Sequence, residues 1–448
     1  MQRLVVAFLL AVLLAGTGQS SALAEQRPIG VLIADHGEPP VYNAHTYWSI
    51  RAFIDHLMDM GVIPSWLRAV DNGTITQDET CYDCADPSLS PRLIDAWLRS
   101  KSGPAAYVPR SSESLPAHYV APAGDGLSEP DIFEHGGLQT WDEWQRMGGR
   151  SPNYGEKLVR KREVARRLRA SYGDRLVVRT GYGIDPRIGG RRQGLRQAVE
   201  ALVERDRVRA IVVAYHGIGF SDLMQTHMIR HEILDAVNDL GANVPIRFTE
   251  PLGRTSHYVQ AVVDKVRTEL SNVPAKAPVA IHLSGHGLPT SACGDYDCGA
   301  DAYHGFARDL FRRVSRAVLS DVRRPGRFGV FHVYGDGGEG DADPDDKVDS
   351  PLEALSKRKA QGFRYVIDVP YEFEANSRDT LIVLRSGYGR ASPDWNSAYE
   401  SRFTYQGVHV KIANAFGGDA HKVAALEGVI RSRLHIDKGA PTSHTGHH

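Results

Sequence analysis

Long hydrophobic runs are scarce in this chain. Beyond its first 24 residues no stretch reaches 18 consecutive apolar residues, which excludes an ordinary membrane-spanning helix from the rest of the sequence. An excess of either charge is also lacking: 53 Lys+Arg stand against 54 Asp+Glu, with no polybasic block. That balance offers no electrostatic footprint for nucleic acid or anionic lipid, and it favours small molecules or proteins as partners. Gly-Lys-Ser/Thr is absent, and Gly217-Ile218-Gly219 does not complete GxGxxG, so no nucleotide cofactor is expected. The absence of a Gly-x-Ser-x-Gly elbow argues against a serine hydrolase. Cysteine is limited to two close pairs, Cys81/Cys84 and Cys293/Cys298. They suit disulfides of open connectivity in an exported protein, or a zinc site, although CGDYDC is wider than the usual knuckle.

What is present begins with a leader. Arg3, the apolar run Leu4–Ala15 and the small residues Ala22-Leu23-Ala24 read as a Sec-type signal peptide over 1–24, with a mature start at Glu25. Export to the periplasm is the expectation, with a soluble mature chain. Apolar runs of strand length then alternate with helical periodicity, which predicts an α/β fold of two related parallel-sheet subdomains with a cleft between them. The expected division is 25–242 and 243–435, followed by a polar, His-containing tail at 436–448. Residues 62–140 lack periodicity and are rich in Pro, Ser, Gly and Asp, and they read as an insertion in the first domain.

Three of the expected strands close on His-Gly: Ile29–Gly37, Val208–Gly217 and Pro278–Gly287. Ligands of open α/β sheets sit beyond the carboxyl ends of the strands, so His36, His216 and His286 are aimed at such a crevice. Imidazole there serves as a metal ligand or a proton acceptor near neutral pH. A fourth strand leads into Tyr371–Thr380 (YEFEANSRDT), placing Glu372, Glu374 and Asp379 at the same edge, where carboxylates hold a divalent metal or accept protons. The competing reading of that segment is a solvated loop with Asn376 or Ser377 as a helix cap. Asp336–Asp349 is acidic but, counted from Asp341, lacks the sixth-position glycine and twelfth-position glutamate of a calcium loop, and reads as a solvated loop.

Four segments, in order, resemble the ferrochelatase family and more broadly the class II tetrapyrrole chelatases. Arg146–Pro152 (RMGGRSP) resembles that family's R-x-GG-x-SP turn, and Ile281–Pro289 (IHLSGHGLP) its S-A-H-S-L-P strand end. Arg364–Leu381 resembles its V-x-P…E-T-L segment, and Lys411–Ile430 its closing helix. The resemblance spans roughly 29–434 and implies two flavodoxin-like domains that insert a divalent metal, Fe2+ first and Co2+ as the alternative, into a tetrapyrrole. It places the family's catalytic histidine on His286 and its catalytic glutamate on Asp379, one methylene shorter here. His36 resembles the amino-terminal His-Gly of the cobalt chelatase branch, where that histidine helps hold the metal. Together, residues and resemblance give His286, Asp379, Glu372 and Glu374 as catalytic candidates, and His286, His36, His216 and Asp379 as metal contacts. The expected substrate is protoporphyrin, as in haem biosynthesis, with a sirohydrochlorin-type ring as the alternative. A different class of reading, motivated by the signal peptide and the Glu-to-Asp change, is an exported, non-catalytic haem- or metal-binding protein on the same fold.

Overall fold

The computed structural model describes residues 27–38, 40, 150–183, 193–219, 229–285, 300–334, 348–377, 401–415 and 420–434, together with 380, 381, 384, 385, 387 and 388. The leader, the 62–140 insertion, all four cysteines, residues 336–347 of the acidic loop, the tail, His286 and Asp379 lie outside the described residues.

Strands β1 (Ile29–Asp35), β2 (Leu176–Tyr182), β3 (Ala210–Tyr215) and β4 (Ile246–Phe248) form a parallel sheet in the order β2-β1-β3-β4. A second sheet contains β5 (Val279–Gly285), β6 (Phe328–Tyr334), β7 (Tyr365–Pro370), β8 (Arg402–Tyr405) and β9 (Val408–Ile412), ordered β6-β5-β7-β9-β8. Both sheets start with the flavodoxin-like order, second strand, first strand, third strand. The strand order therefore reverses between β1 and β3 in one sheet and between β5 and β7 in the other. Crevices open beyond the carboxyl ends at such switch points.

The helices are α1 (Asn153–Tyr172), α2 (Leu195–Glu200), α3 (Glu232–Asp239), α4 (Ser256–Leu270), α5 (Ala300–Asp321), α6 (Pro351–Ala360) and α7 (Ala420–Leu434). Local chemistry fixes several starts. Thr255 Oγ1 accepts from the Tyr258 amide at 3.1 Å to cap α4. Ser350 donates its amide to Glu353 Oε2 at 3.2 Å ahead of Pro351, a capping-box start for α6.

Alternation along β1 divides the core. Leu32 and Ala34 face Leu195, Val199, Ile233 and Ala236 of α2 and α3. Val31 and Ile33 face the other way and share one apolar cluster with α1, α4 and α7, a cluster that also takes in Ile281 and Leu283 of β5. The two sheets are thus joined by continuous hydrophobic packing, each fully buried Leu or Ile contributing roughly 1.5–3 kcal/mol.

Two features depart from the sequence expectation. β4 belongs to the first sheet, so that sheet extends past the expected division at residue 242. The second sheet is mixed: β8 pairs antiparallel with β9 through a tight turn at Gln406 (φ 45°) and Gly407 (φ 85°). Two consecutive left-handed residues match the twist of a two-residue hairpin. β8 escaped the sequence reading because its four residues are too few to show a period.

Candidate functional site

Alternation carries Asp35 onto the same face of β1 as Val31 and Ile33, and there it meets α1. The buried stripe of that helix runs Asn153, Lys157, Arg160/Lys161, Val164, Leu168, with three or four residues between successive turns. Its carboxyl half is apolar and covers the core, whereas its amino half is basic and lies over the strand ends. Burial of three cations is uncommon unless each is paired. Lys161 Nζ lies 2.7 Å from Asp35 Oδ2, and Lys157 Nζ lies 3.0 Å from Asp35 Oδ1 and 3.3 Å from Glu374 Oε2. Arg160 donates through Nη2 to the Glu374 carbonyl, which also accepts from Lys422 of α7. Lys157 thereby ties the end of β1 to the segment after β7.

His216, at the end of β3, closes the network. Arg160 Nη1 lies 3.1 Å from His216 Nε2, and Asp35 Oδ2 lies 3.3 Å from His216 Nδ1. A guanidinium only donates, so Nε2 is the acceptor and Nδ1 carries the hydrogen given to Asp35. Burial pushes the His216 imidazole well below its ordinary value, overriding the pull of Asp35, so the ring is neutral. Burial would raise the Asp35 carboxyl, yet Lys157, Lys161 and the His216 hydrogen bond together hold it well below the usual carboxylate range. Lys161 is pushed down to about 8, burial outweighing Asp35, while Lys157 is raised because Asp35 and Glu374 outweigh burial. A metal ion at Nε2 of His216 would have to displace Arg160.

The glycines of the His-Gly pairs have separate reasons. Gly37 has φ 88° and donates its amide to Asp35 Oδ1 at 3.1 Å, turning the chain just after half-buried His36. The following loop is held by Ser151 of the RMGGRSP turn, whose hydroxyl bonds Glu38 and whose amide bonds the Pro40 carbonyl at 2.9 Å. Gly217 is needed for room: a Cβ there would sit 1.9 Å from the Tyr215 ring.

In the second sheet, Gly285 ends β5 immediately before His286, and the Glu372 carboxylate lies against it, 2.6 Å from where a Cβ would stand. Glu372 is therefore at the β5/β7 switch point. Tyr371, fully buried beside it, donates to the Ala307 carbonyl at 3.2 Å and lies 3.1 Å from His332 Nε2. Downstream, Asn376 bonds both carboxylate oxygens of Glu156 at 2.8 Å, and Ser377 and Thr380 exchange side-chain-to-amide bonds.

Of the expected site residues, the structure brings Glu374 and His216 into one buried network through Lys157, Arg160 and Asp35, and it sets Glu372 on the adjoining strand edge. His36 directly follows Asp35. Among the described residues no group of three or more His, Cys, Asp or Glu side chains is arranged to hold a metal ion. Sequence reading missed Asp35, Lys157, Arg160 and Lys161. The signal was available, because the basic residues continue the Val164–Leu168 spacing, but charges on a helix ordinarily mark its solvated side. It also passed over Gly335–Gly340, which spells GxGxxG directly after β6. Asp336 and Glu339 within it would repel a phosphate, and α6 begins only at Pro351.

No known family's sequence profile matches the chain, and no characterised protein matches it in sequence. Among solved structures, it is similar to the chelatase SirB from Bacillus subtilis with Fe3+, at 14% identity and a TM-score of 0.40, over 60% of this chain and 86% of that one. It is also similar to the sirohydrochlorin chelatase SirB from Bacillus subtilis subspecies spizizenii in complex with cobalt, at 10% identity and a TM-score of 0.37, over 62% and 88% of the two chains. A multi-domain protein from Deinococcus radiodurans with structural similarity to chelatases matches at 16% identity and a TM-score of 0.34, over 62% of this chain and 52% of its own.

Proposed function

We propose that this protein is an exported metal chelatase that inserts a divalent metal, Fe2+ in the first instance, into a tetrapyrrole such as protoporphyrin. The observation that carries the reading is the convergence of acid–base groups at two equivalent switch points. His36 and His216 stand at the ends of β1 and β3, and Glu372 stands over the end of β5, where the next residue is His286. Insertion releases two pyrrole N–H protons as the metal enters. In this reading His286 accepts one as a neutral imidazole, and Glu372 with Asp379 forms the carboxylate path that carries protons away. His36 lies at the opposing edge as a metal contact. Metal and tetrapyrrole are both substrates here, and no nucleotide is required. A sirohydrochlorin-type ring with Co2+ is the alternative pair, since similar nitrogen and oxygen ligands take either metal.

One observation favours the second, non-catalytic reading. Both His216 ring nitrogens are engaged within the protein, and the Glu374 carboxylate is paired with Lys157. Both groups then serve the joint between the sheets, and a binding protein needs no more than that joint and a cleft. Anaerobic titration of the purified protein with protoporphyrin IX or sirohydrochlorin, followed by Fe2+ or Co2+, separates the readings. Repeated conversion of ring to metallated ring supports the chelatase. Stoichiometric binding with no conversion overturns it in favour of a carrier.

A further inference from the structure

Behind the β5/β7 switch point, on the face opposite Glu372, lies a polar network that the proposed chemistry does not use. Its centre is Asp368 in the middle of β7, fully buried. His282 on β5 pairs with it in register, and Ser284 lies two residues on, so all three side chains fall on one face of the sheet. Ser284 Oγ donates to Asp368 Oδ1 at 2.5 Å, and the Tyr388 hydroxyl is bonded to Asp368 Oδ2, accepting when that carboxyl is protonated and donating when it is ionised. The Tyr388 oxygen in turn lies 2.9 Å from His282 Nδ1, with the two rings stacked at 6.3 Å. Around them pack Ala280, Leu355, Phe363, Leu384 and Phe403.

We propose that Asp368 is a positioning residue for the cleft: its carboxyl group clamps the end of β5, through Ser284, to the segment carrying Thr380 and Tyr388, and the clamp closes around a proton. This rests on the chelatase reading for the importance of that edge. The geometry argues for the proton. Asp368 forms no ion pair among the described residues, in contrast to Asp35, which has two lysines. Neutral hydroxyls are its only described side-chain partners, and a wholly buried carboxylate without a cation is strongly disfavoured.

The ionisable groups on the surrounding elements do not supply the missing charge. His282 of β5 is pushed down to about 3 by burial and by Arg358, so it stays neutral. Arg358 of α6 lies over the Phe331 ring of β6 at 3.8 Å and 4.0 Å from Asp349. Arg385 is buried in the same segment as Tyr388, and Lys411 on β9 pairs with Glu269. Burial accordingly pushes the Asp368 carboxyl up to about 7, against the Ser284 and Tyr388 hydrogen bonds. Above that pH the clamp holds an uncompensated anion. Opening the segment, which returns Asp368 to water, becomes progressively easier as pH rises towards 7 and then levels off.

Infrared spectroscopy and hydrogen exchange on the full-length protein test this. The wild type should show a protonated-carboxyl band that titrates away near pH 7 and is missing in Asp368→Asn. Protection of the Ser284 and Tyr371 amides should fall about tenfold per pH unit between pH 5 and 7 in the wild type, and stay flat in the variant, which cannot ionise. Ser284→Ala, which removes a donor to the anion, should move the titration midpoint upward, and it keeps the test decisive if Asp368→Asn does not fold. In metal insertion, any change of rate as the wild type passes through pH 7 should be missing in Asp368→Asn, while the two rates agree below pH 6. Absence of the band, or protection with the same pH dependence in both proteins, overturns the clamp. If neither protein inserts metal while the band and the protection behave as stated, the clamp stands and the chelatase reading fails.

Discussion

Replacing Asp35 with Asn keeps the shape of the strand end and removes its charge. Asp35 is fully buried, with Lys161 at 2.7 Å, Lys157 at 3.0 Å and His216 at 3.3 Å. After the change Lys157 keeps Glu374 at 3.3 Å, and among the described residues Lys161 keeps the face of Tyr182, 4.1 Å from its Nζ. Removing one partner of a buried ion pair ordinarily costs about 3–5 kcal/mol, because the orphaned charge has left water without compensation. Lys161, already lowered to about 8, can shed its proton instead, which sets the expected loss near the lower end of that range. A fall in Tm of roughly 10 °C should follow at pH 7, measured by scanning fluorimetry or calorimetry. The pH dependence has a definite sign. Without Asp35 the folded state releases the Lys161 proton more readily than the unfolded state does, so the variant should recover stability as pH rises from 7 to 9. Adding Lys161→Met, which removes the orphaned charge at similar volume, should restore part of the loss at pH 7. An Asp35→Asn protein that melts with the wild type, or one whose loss is untouched by Lys161→Met, would refute the claim that this pair is the electrostatic centre of the joint.

Gly217→Ala places a methyl on the Tyr215 ring, and should cost about 1–3 kcal/mol in denaturant unfolding, relieved when Tyr215→Leu is added. Glu374→Gln leaves Lys157 with Asp35 alone and should destabilise the protein by about 1–2 kcal/mol, less than Asp35→Asn, because the Glu374 main-chain contacts to Arg160 and Lys422 persist. Gly407→Ala, at φ 85°, should cost roughly 1 kcal/mol and loosen the β8–β9 hairpin, seen as faster hydrogen exchange at Phe403 and Val410.

Strands and long helices were legible because their periodicities are strong. Helical periodicity in the sequence runs over the bounds of α1, Asn153–Tyr172, and apolar alternation over those of β9, Val408–Ile412. The His-Gly ends were legible because a switch-point crevice follows from parallel topology alone. The burial of Lys157, Arg160 and Lys161 was hidden. Leu158, apolar in sequence, is only half-buried, and the inward stripe becomes basic just where it passes the strand ends. That turn of the helix makes sense only once Asp35 and Glu374, from different sheets, are seen to face it. Asp368 was equally hidden, since an aspartate inside the run Tyr365–Pro370 carries no local mark of its partners on β5 and beside Leu384.

The central claim is that the cleft edge inserts metal with His286 as proton acceptor. Its most direct test is steady-state metallation, under anaerobic conditions, of protoporphyrin IX with Fe2+ and of sirohydrochlorin with Co2+, by the wild type and by His286→Ala, with circular dichroism confirming that the variant is folded. The account predicts many turnovers on at least one ring by the wild type and a loss of about 10²–10⁴-fold in the variant. Equal rates in the two folded proteins would contradict it.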